Sequence, residues 1–144
     1  MCTARQLDLV DALCSRTFPA EPGPSGSGGP GHVVAALRTA GYPAERALLE
    51  EEFEAECEAL AGLLAVRWGA APQEFGLDGL LLRACGAAGG EPEEIPEPWR
   101  TLSEEMPSLR LWRRAGRWIA LGVTTRDREL PLRLLAVATD VDPP

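Results

Sequence analysis

Three glutamates spaced one helical turn apart are the residues of this chain best suited to chemistry. Glu50, Glu54 and Glu58 recur every four residues, so a helix would stack their carboxylates along one face. Stacked carboxylates can bind a divalent cation or share acid and base roles. Carboxylate metal sites usually add histidine or a second carboxylate helix, and the sequence shows neither. We therefore expect a solvated acidic face, with Glu51 included, that binds a basic partner.

Nucleophilic catalysis and zinc binding have little support in this sequence. His32 is the only histidine and stands in a glycine-rich stretch, and no G-x-S-x-G turn is present. The four cysteines are widely spaced without a C-x-x-C pair, which favours free thiols over a disulfide framework or zinc ligands. We predict no catalytic residue, no metal and no cofactor. The protein is then not an enzyme, and a small-molecule enzyme with paired carboxylates stays an alternative hypothesis.

The charge distribution is uneven along the chain. The net charge is −8 at pH 7, and residues 1–98 hold 16 carboxylates and six arginines, against six and eight in residues 99–144. Such an acidic chain opposes binding to nucleic acid or anionic lipid and favours a basic partner. All 14 basic residues are arginine, without a lysine. Because a GC-rich genome explains this bias, arginine content is poor evidence for phosphate binding.

The length of 144 residues suits one domain. No apolar run reaches the roughly 18 residues that cross a bilayer. The N-terminus lacks a basic segment followed by an apolar one, so no signal peptide is evident. We expect a cytoplasmic protein without a membrane partner.

The first third of the chain predicts a helix, a linker and a second helix. Leu7, Val10 and Leu13 recur at helical spacing, so residues 1–18 predict an N-terminal helix. Residues 19–32 are rich in Gly, Pro and Ser and predict a flexible linker. The remaining residues, 33–144, predict a single α+β domain that opens with a short helix, Val33 to Thr39.

A long helix is predicted from about Ala44 to Trp68. Its apolar stripe faces away from the four glutamates, and Gly69 and Pro72 end it. Gly62 weakens its middle by about 1 kcal/mol relative to alanine, which leaves open a break with a strand over residues 63–68. Residues 73–98 are ambiguous: residues 77–85 fit a strand or a helical turn, and residues 86–98 read as an acidic loop. A short helix is predicted over Trp99 to Glu105.

The last third predicts an antiparallel sheet. A two-residue turn at Ala115-Gly116 would pair Trp112 with Ile119 and Leu111 with Ala120. A third strand over residues 132–139 would pair with the second through the loop 125–131. We predict a three- or four-stranded antiparallel sheet packed on the long helix, with the N-terminal helix on its linker.

Both faces of the predicted hairpin are apolar, which requires two covers. One face shows Trp112, Ile119, Leu121 and Val123, and the other shows Leu109, Leu111, Trp118, Ala120 and Gly122. Because Ala120 and Gly122 are small enough for a helix to approach closely, we assign the long helix to the second face. The Trp112 face is then free for a partner, unless the N-terminal helix folds back onto it.

Arginines alternate with the tryptophans of this hairpin. Aromatic residues flanked by arginine on a sheet suit base stacking, but Arg–Trp contacts across a hairpin are also ordinary packing. Core packing, a protein interface and nucleic-acid binding stay open in that order, and the acidic chain as a whole favours the first two. The residues concerned are Arg110, Arg113, Arg114, Arg117, Trp112 and Trp118.

The C-terminal pattern resembles that of uncharacterised small proteins from GC-rich actinobacteria. It runs from the tryptophan–arginine hairpin through Trp118-Ile-Ala-Leu-Gly-Val123 to Arg128-Glu-Leu-Pro131 and an apolar strand. In general style, small, acidic and α+β, the chain over residues 43–139 is similar to the immunity proteins that neutralise polymorphic toxins. This resemblance implies protein binding and transfers no active-site residue.

The sequence thus predicts a non-enzymatic protein-binding module, and an immunity-type inhibitor of a basic toxin or enzyme is its most specific form. The predicted partner-binding residues are Glu50, Glu51, Glu54, Glu58, Trp112, Ile119 and Leu121. Acidic side chains would steer the partner, and the Trp112 face would supply buried area. A homodimeric structural or accessory protein, paired through the same face, is the alternative.

Overall fold

The computed structural model describes residues 3–21, 28–42, 44–86 and 89–144. They form an α+β fold in which a six-stranded antiparallel sheet carries two helices on each face. The helices are α1 (Thr3–Leu13), α2 (Arg46–Trp68), α3 (Asp78–Cys85) and α4 (Trp99–Glu105). The strands are β1 (Gly28–Gly29), β2 (His32–Gly41), β3 (Gln73–Gly76), β4 (Ser108–Arg114), β5 (Arg117–Val123) and β6 (Leu132–Thr139).

The strand order is β1-β2-β6-β5-β4-β3, which is larger than the predicted sheet of three or four strands. The β4–β5 hairpin has the predicted register, with Trp112 opposite Ile119 and Leu111 opposite Ala120. Strand β6 pairs with β5, as predicted. The strands that the sequence did not reveal are β1, β2 and β3, which flank this three-stranded centre.

The predicted helix over Val33 to Thr39 is wrong, because these residues belong to β2. Val33 and Leu37 are buried, whereas Ala36 and Thr39 are exposed, so the segment buries one face of a strand. Pairing with β6, from His32 opposite Thr139 to Gly41 opposite Leu132, satisfies its backbone. Two register irregularities, at Ala36/Arg38 and Thr39/Gly41, obscure the alternation in the sequence.

The long helix lies on the opposite face of the sheet from the one predicted. Phe53, Cys57, Leu60 and Leu64 of α2 pack in one buried cluster with Trp112 and the other residues of its face. Large side chains on both elements fill this layer. The helix continues unbroken through Gly62 to Trp68 and ends at Gly69, whose left-handed backbone (φ 65°) accommodates the C-terminal turn.

The second face of the hairpin is covered by α3 and α4 instead. Leu80, Trp99 and Leu102 pack with Leu111 and Ala120 in a separate buried cluster. The small residue at position 122 does permit a close approach, as the sequence suggested. A Cβ on Gly122 would lie 2.6 Å from Sδ of Met106, the residue that follows α4. The ambiguous residues 77–85 are therefore a helical cover of the sheet.

The N-terminal helix shares the core of the sheet. Val10 and Leu13 are buried in the cluster that contains the Trp112 face, and the guanidinium of Arg117 donates to the carbonyl oxygens of Leu13 and Arg16. The predicted boundary between residues 1–18 and 33–144 therefore separates parts of one core. Of the predicted linker, residues 28, 29 and 32 lie in strands, and residues 22–27 lie outside the described part.

Candidate functional site

An open acidic groove runs along the first half of α2. Its volume is about 650 Å³, and its walls are α2 on one side and Arg110 of β4 with Thr125 of the β5–β6 loop on the other. All four predicted glutamates line it, together with two alanines: Ala47, Glu50, Glu51, Glu54, Ala55 and Glu58. The structure therefore brings together the acidic part of the predicted partner surface.

The four glutamates are not equivalent. Glu50 accepts a hydrogen bond from Nε of Arg46 at 3.0 Å, and its side chain is only 19% exposed. Glu51, Glu54 and Glu58 are exposed, and within the described residues none of the three forms an ion pair. The carboxylates available to a ligand are thus these three, and Glu50 belongs to the wall of the groove.

Glu54 is the electrostatically strained member of the set. Although the residue as a whole is exposed, partial desolvation by its neighbours raises the pKa of its carboxyl, the nearby Glu50 carboxylate raises it further, and the guanidinium of Arg110 opposes both. A carboxylate that has lost part of its hydration without gaining a hydrogen bond gains most when a cation arrives. Glu54 is therefore the position in the groove where an added positive charge would be most favourable.

Arg110 of β4 is the arginine that lines the groove. Its Nη1 lies 3.3 Å from Sγ of Cys57, a buried residue of α2. Burial raises the pKa of the Cys57 thiol to about 11, so the group stays protonated at neutral pH and is a poor nucleophile. The sequence grouped Arg110 with the arginines beside tryptophan, whereas the structure assigns it to the acidic groove.

Arg46 fixes the far wall of the groove. Its guanidinium uses all five N–H donors: Nε on Glu50, Nη1 on the carbonyl oxygens of Arg128 and Leu130, and Nη2 on those of Thr124 and Asp127. The side chain is 10% exposed. The loop between β5 and β6 is thereby wrapped around one cation of α2, which places Thr125 at the groove. No sequence pattern indicated this role, because the partners are backbone carbonyls.

The apolar part of the predicted partner surface is buried. Trp112 is 3% exposed, Ile119 0% and Leu121 1%, because α1 and α2 cover them. The prediction that these three residues contact a partner is therefore corrected: they form the centre of the core. The fold-back of Leu7, Val10 and Leu13 is the physical reason, since these residues pack on the same cluster.

The remaining arginines of the hairpin make structural contacts. The guanidinium of Arg113 lies 4.8 Å from the ring centre of Trp118, that of Arg114 lies 5.1 Å from Trp68, and that of Arg117 lies 4.2 Å from Phe18. Each arginine thus stacks on an aromatic ring of its own chain. This arrangement agrees with core and surface packing, the first of the three interpretations.

A second, smaller cavity lies between α4 and the sheet. It measures about 70 Å³, which is the volume of about two waters, and its polar lining includes His32, Glu97, Thr101, Glu105 and Arg133. Burial raises the pKa of Glu105, and the nearby carboxylates Glu104 and Glu97 act in the same direction against Arg133. Glu97 precedes α4 and Glu105 is its last residue, and both line this one cavity.

Within residues 3–21, 28–42, 44–86 and 89–144, no three His, Cys, Asp or Glu side chains are grouped as metal ligands. In the same part of the chain, no helix has both the length and the apolar character that a membrane span requires.

Comparisons of the chain with protein-family models, with curated proteins and with solved structures found no match.

Proposed function

We propose that this protein is a non-enzymatic binding module whose acidic groove receives a basic segment of a protein partner. The groove itself is the observation that carries this proposal. Three solvent-exposed carboxylates, Glu51, Glu54 and Glu58, line one side of a rigidly walled depression of about 650 Å³ that contains one cation, Arg110. A lysine or arginine side chain would therefore enter a negative potential and pair with the partly desolvated carboxylate of Glu54.

The form of the groove supports a preformed binding surface. The α2 wall is a 23-residue helix anchored in the core, and the opposite wall is tied to Arg46 by four carbonyl bonds. Binding then costs little ordering of the backbone, which favours affinity. An immunity-type inhibitor of a basic toxin or enzyme is the specific form that we propose, and the resemblance in size, charge and fold class supports it.

The test is a capture experiment with variants of matched charge. Glu54→Lys/Glu58→Lys reverses two charges in the groove, and Glu91→Lys/Glu94→Lys makes the same change in an exposed loop. Glu50 is excluded from the groove variant because its substitution would release Arg46. A partner captured from the native host by the wild type should lose about tenfold or more in affinity for the groove variant alone.

The same partner should bind more weakly as ionic strength rises, since the carboxylates involved are exposed. If the partner is an enzyme, its activity should fall when the chain is added in stoichiometric amount, which tests the inhibitor form. Equal binding by both double variants, or a salt-independent complex, would contradict the proposal. If the partner enzyme loses activity although no complex forms with this protein, the alternative of a carboxylate enzyme is supported, because this protein would then be consuming the partner enzyme's substrate.

A further inference from the structure

The cavity between α4 and the sheet lies on the face of the sheet opposite the acidic groove. Leu102 of α4 and Leu135 of β6 line it and belong to the cluster under α3 and α4, whereas α2 packs on the other face. Thr101, which also lines it, is exposed, so the cavity reaches the surface. A cavity of roughly 150 Å³ holds the six carbons of benzene, so a volume of about 70 Å³ holds about three non-hydrogen atoms. The cavity therefore has the size of one small functional group.

Two buried atoms of the side chains that line this cavity have no hydrogen-bond partner among the described residues. They are Nδ1 of His32 and Nε of Arg133. Across the described part of the chain, four buried side-chain nitrogen or oxygen atoms are in this state, so half of them belong to this cavity. Because buried polar groups in folded proteins are nearly always hydrogen-bonded, the cavity offers bonding capacity that the chain itself does not use.

Arg133 and Glu105 lie side by side in the lining. Nη2 of Arg133 is 3.4 Å from Oε1 of Glu105, a long contact for an ion pair, and the two side chains are 26% and 16% exposed. Within the described residues, this is the one side-chain hydrogen bond that the Glu105 carboxylate accepts. Burial raises the pKa of Glu105, and the nearby carboxylates of Glu104 and Glu97 raise it further. The pair thus presents an unused donor, Nε, beside a carboxylate that gains from a further donor.

Charge decides which functional group suits these two partners. A carboxylate would accept from Arg133 but would lie against Glu105 and Glu97. An ammonium group would donate to Glu105 but would leave Nε of Arg133 without an acceptor. A primary amide has a carbonyl oxygen that accepts and an amino group that donates twice, and it carries no net charge. Its carbon, oxygen and nitrogen also match the size of the cavity.

We propose that the cavity between α4 and the sheet is a binding site for a small molecule that carries a primary amide group. The carbonyl oxygen of the amide accepts from Nε of Arg133, and the amino group donates to the Glu105 carboxylate. The apolar remainder of the ligand lies against Val34, Leu102 and Leu135, which also line the cavity. This site lies apart from the acidic groove and does not depend on the proposed protein partner.

Four planar molecules of nearly equal size test this assignment by NMR titration of the full chain. Acetamide accepts and donates, acetone and acetate only accept, and acetamidinium only donates. Acetamide should shift the backbone amide signals of Thr101, Leu102 and Glu105 to saturation, with a Kd above about 40 µM because the molecule is so small. At neutral pH and constant ionic strength, the other three should bind about tenfold more weakly or worse.

A matched pair of arginine variants tests the donor. Arg133→Lys keeps the charge, but one ammonium group cannot bind Glu105 and replace Nε at the same time, so acetamide should bind about tenfold more weakly. Arg5→Lys makes the same change at an exposed position of α1 and should leave the Kd unchanged. The groove variant Glu54→Lys/Glu58→Lys should also leave it unchanged, because the groove lies on the other face of the sheet.

The titrations of the wild type decide the question even if Arg133→Lys does not fold. Acetamide shifts that do not saturate up to about 100 mM would overturn the proposal. Equal or tighter binding of acetone or acetate would also overturn it, and tighter binding of acetamidinium would replace the amide site with a cation site. A folded Arg133→Lys that binds acetamide as tightly as the wild type would refute the role of Nε.

Discussion

The guanidinium of Arg46 binds four carbonyl oxygens of the groove wall, so Arg46→Met is the most informative substitution. Methionine keeps the length and apolar body of the side chain but removes the charge and all five donors. The carbonyl oxygens of four loop residues and one oxygen of Glu50 lose their partner. The result separates a structural cation from an ordinary surface charge.

The loss of folding stability caused by Arg46→Met depends on which of these acceptors can bond water in place of the guanidinium. Asp127 and Arg128 are exposed and Leu130 is half-buried, so we count their three carbonyl oxygens as hydrated after the substitution. Thr124 is 1% exposed and the Glu50 side chain 19%, so these two acceptors recover little. Two lost bonds to a charged donor, at about 1.5–3 kcal/mol each, predict a loss of about 3–6 kcal/mol. That is a large part of a typical stability of about 5–15 kcal/mol.

Urea denaturation followed by circular dichroism and tryptophan fluorescence measures this loss. The matched control is Arg100→Met, which breaks an ion pair with Glu104 at the same four-residue spacing, but with side chains 43% and 52% exposed. The control should lose less than about 0.5 kcal/mol. If Arg46→Met loses under about 1 kcal/mol, or no more than the control, then the loop is not held by this cation.

Other measurements address the core and the titrating groups. Cys85 should react with a thiol reagent at once, and Cys57 only on unfolding, since Cys57 is buried and its pKa is about 11; equal rates would contradict this burial. Gly122→Ala should cost about 1–3 kcal/mol in a urea melt, because its methyl would lie 2.6 Å from a buried sulfur. Gly76→Ala, where a Cβ meets nothing within 4 Å, is the control. Partial desolvation raises the pKa of Glu54, so the wild type should lose stability relative to Glu54→Gln as pH rises from 4.5 through the raised value, as measured by urea melts of both proteins across that range.

Local sequence patterns predicted those helices and turns whose conformation depends mainly on their own residues. The Ala115-Gly116 turn sets the hairpin register, since both residues adopt positive φ. Trp99 to Glu105 forms a helix with the predicted bounds. The long helix was recognisable because its apolar stripe runs for six turns, and the same periodicity placed the acidic residues on its solvent side.

Other features depended on contacts that no local pattern contains. Strand β2 is rich in alanine and includes leucine and arginine, which favour helix, and only its pairing with β6 makes it a strand. The assignment of each helix to a face of the hairpin depends on the topology of the whole chain. The groove was half predicted: its glutamates follow from helical spacing, but Arg46, Arg110 and Thr125 come from distant segments.

The pairing of β2 with β6 also governs how the chain reaches its structure. His32 lies opposite Thr139, so more than 100 residues separate the two strands that join the outer part of the sheet to its centre. Contacts of such long range slow folding, because the conformational entropy of the intervening loop must be lost before the contact can stabilise the chain. During synthesis, Val33 and Leu37 stay without their cover until β6 has emerged from the ribosome. A nascent chain that ends before residue 132 should therefore remain protease-sensitive and bind chaperones, whereas one that extends past residue 139 should fold.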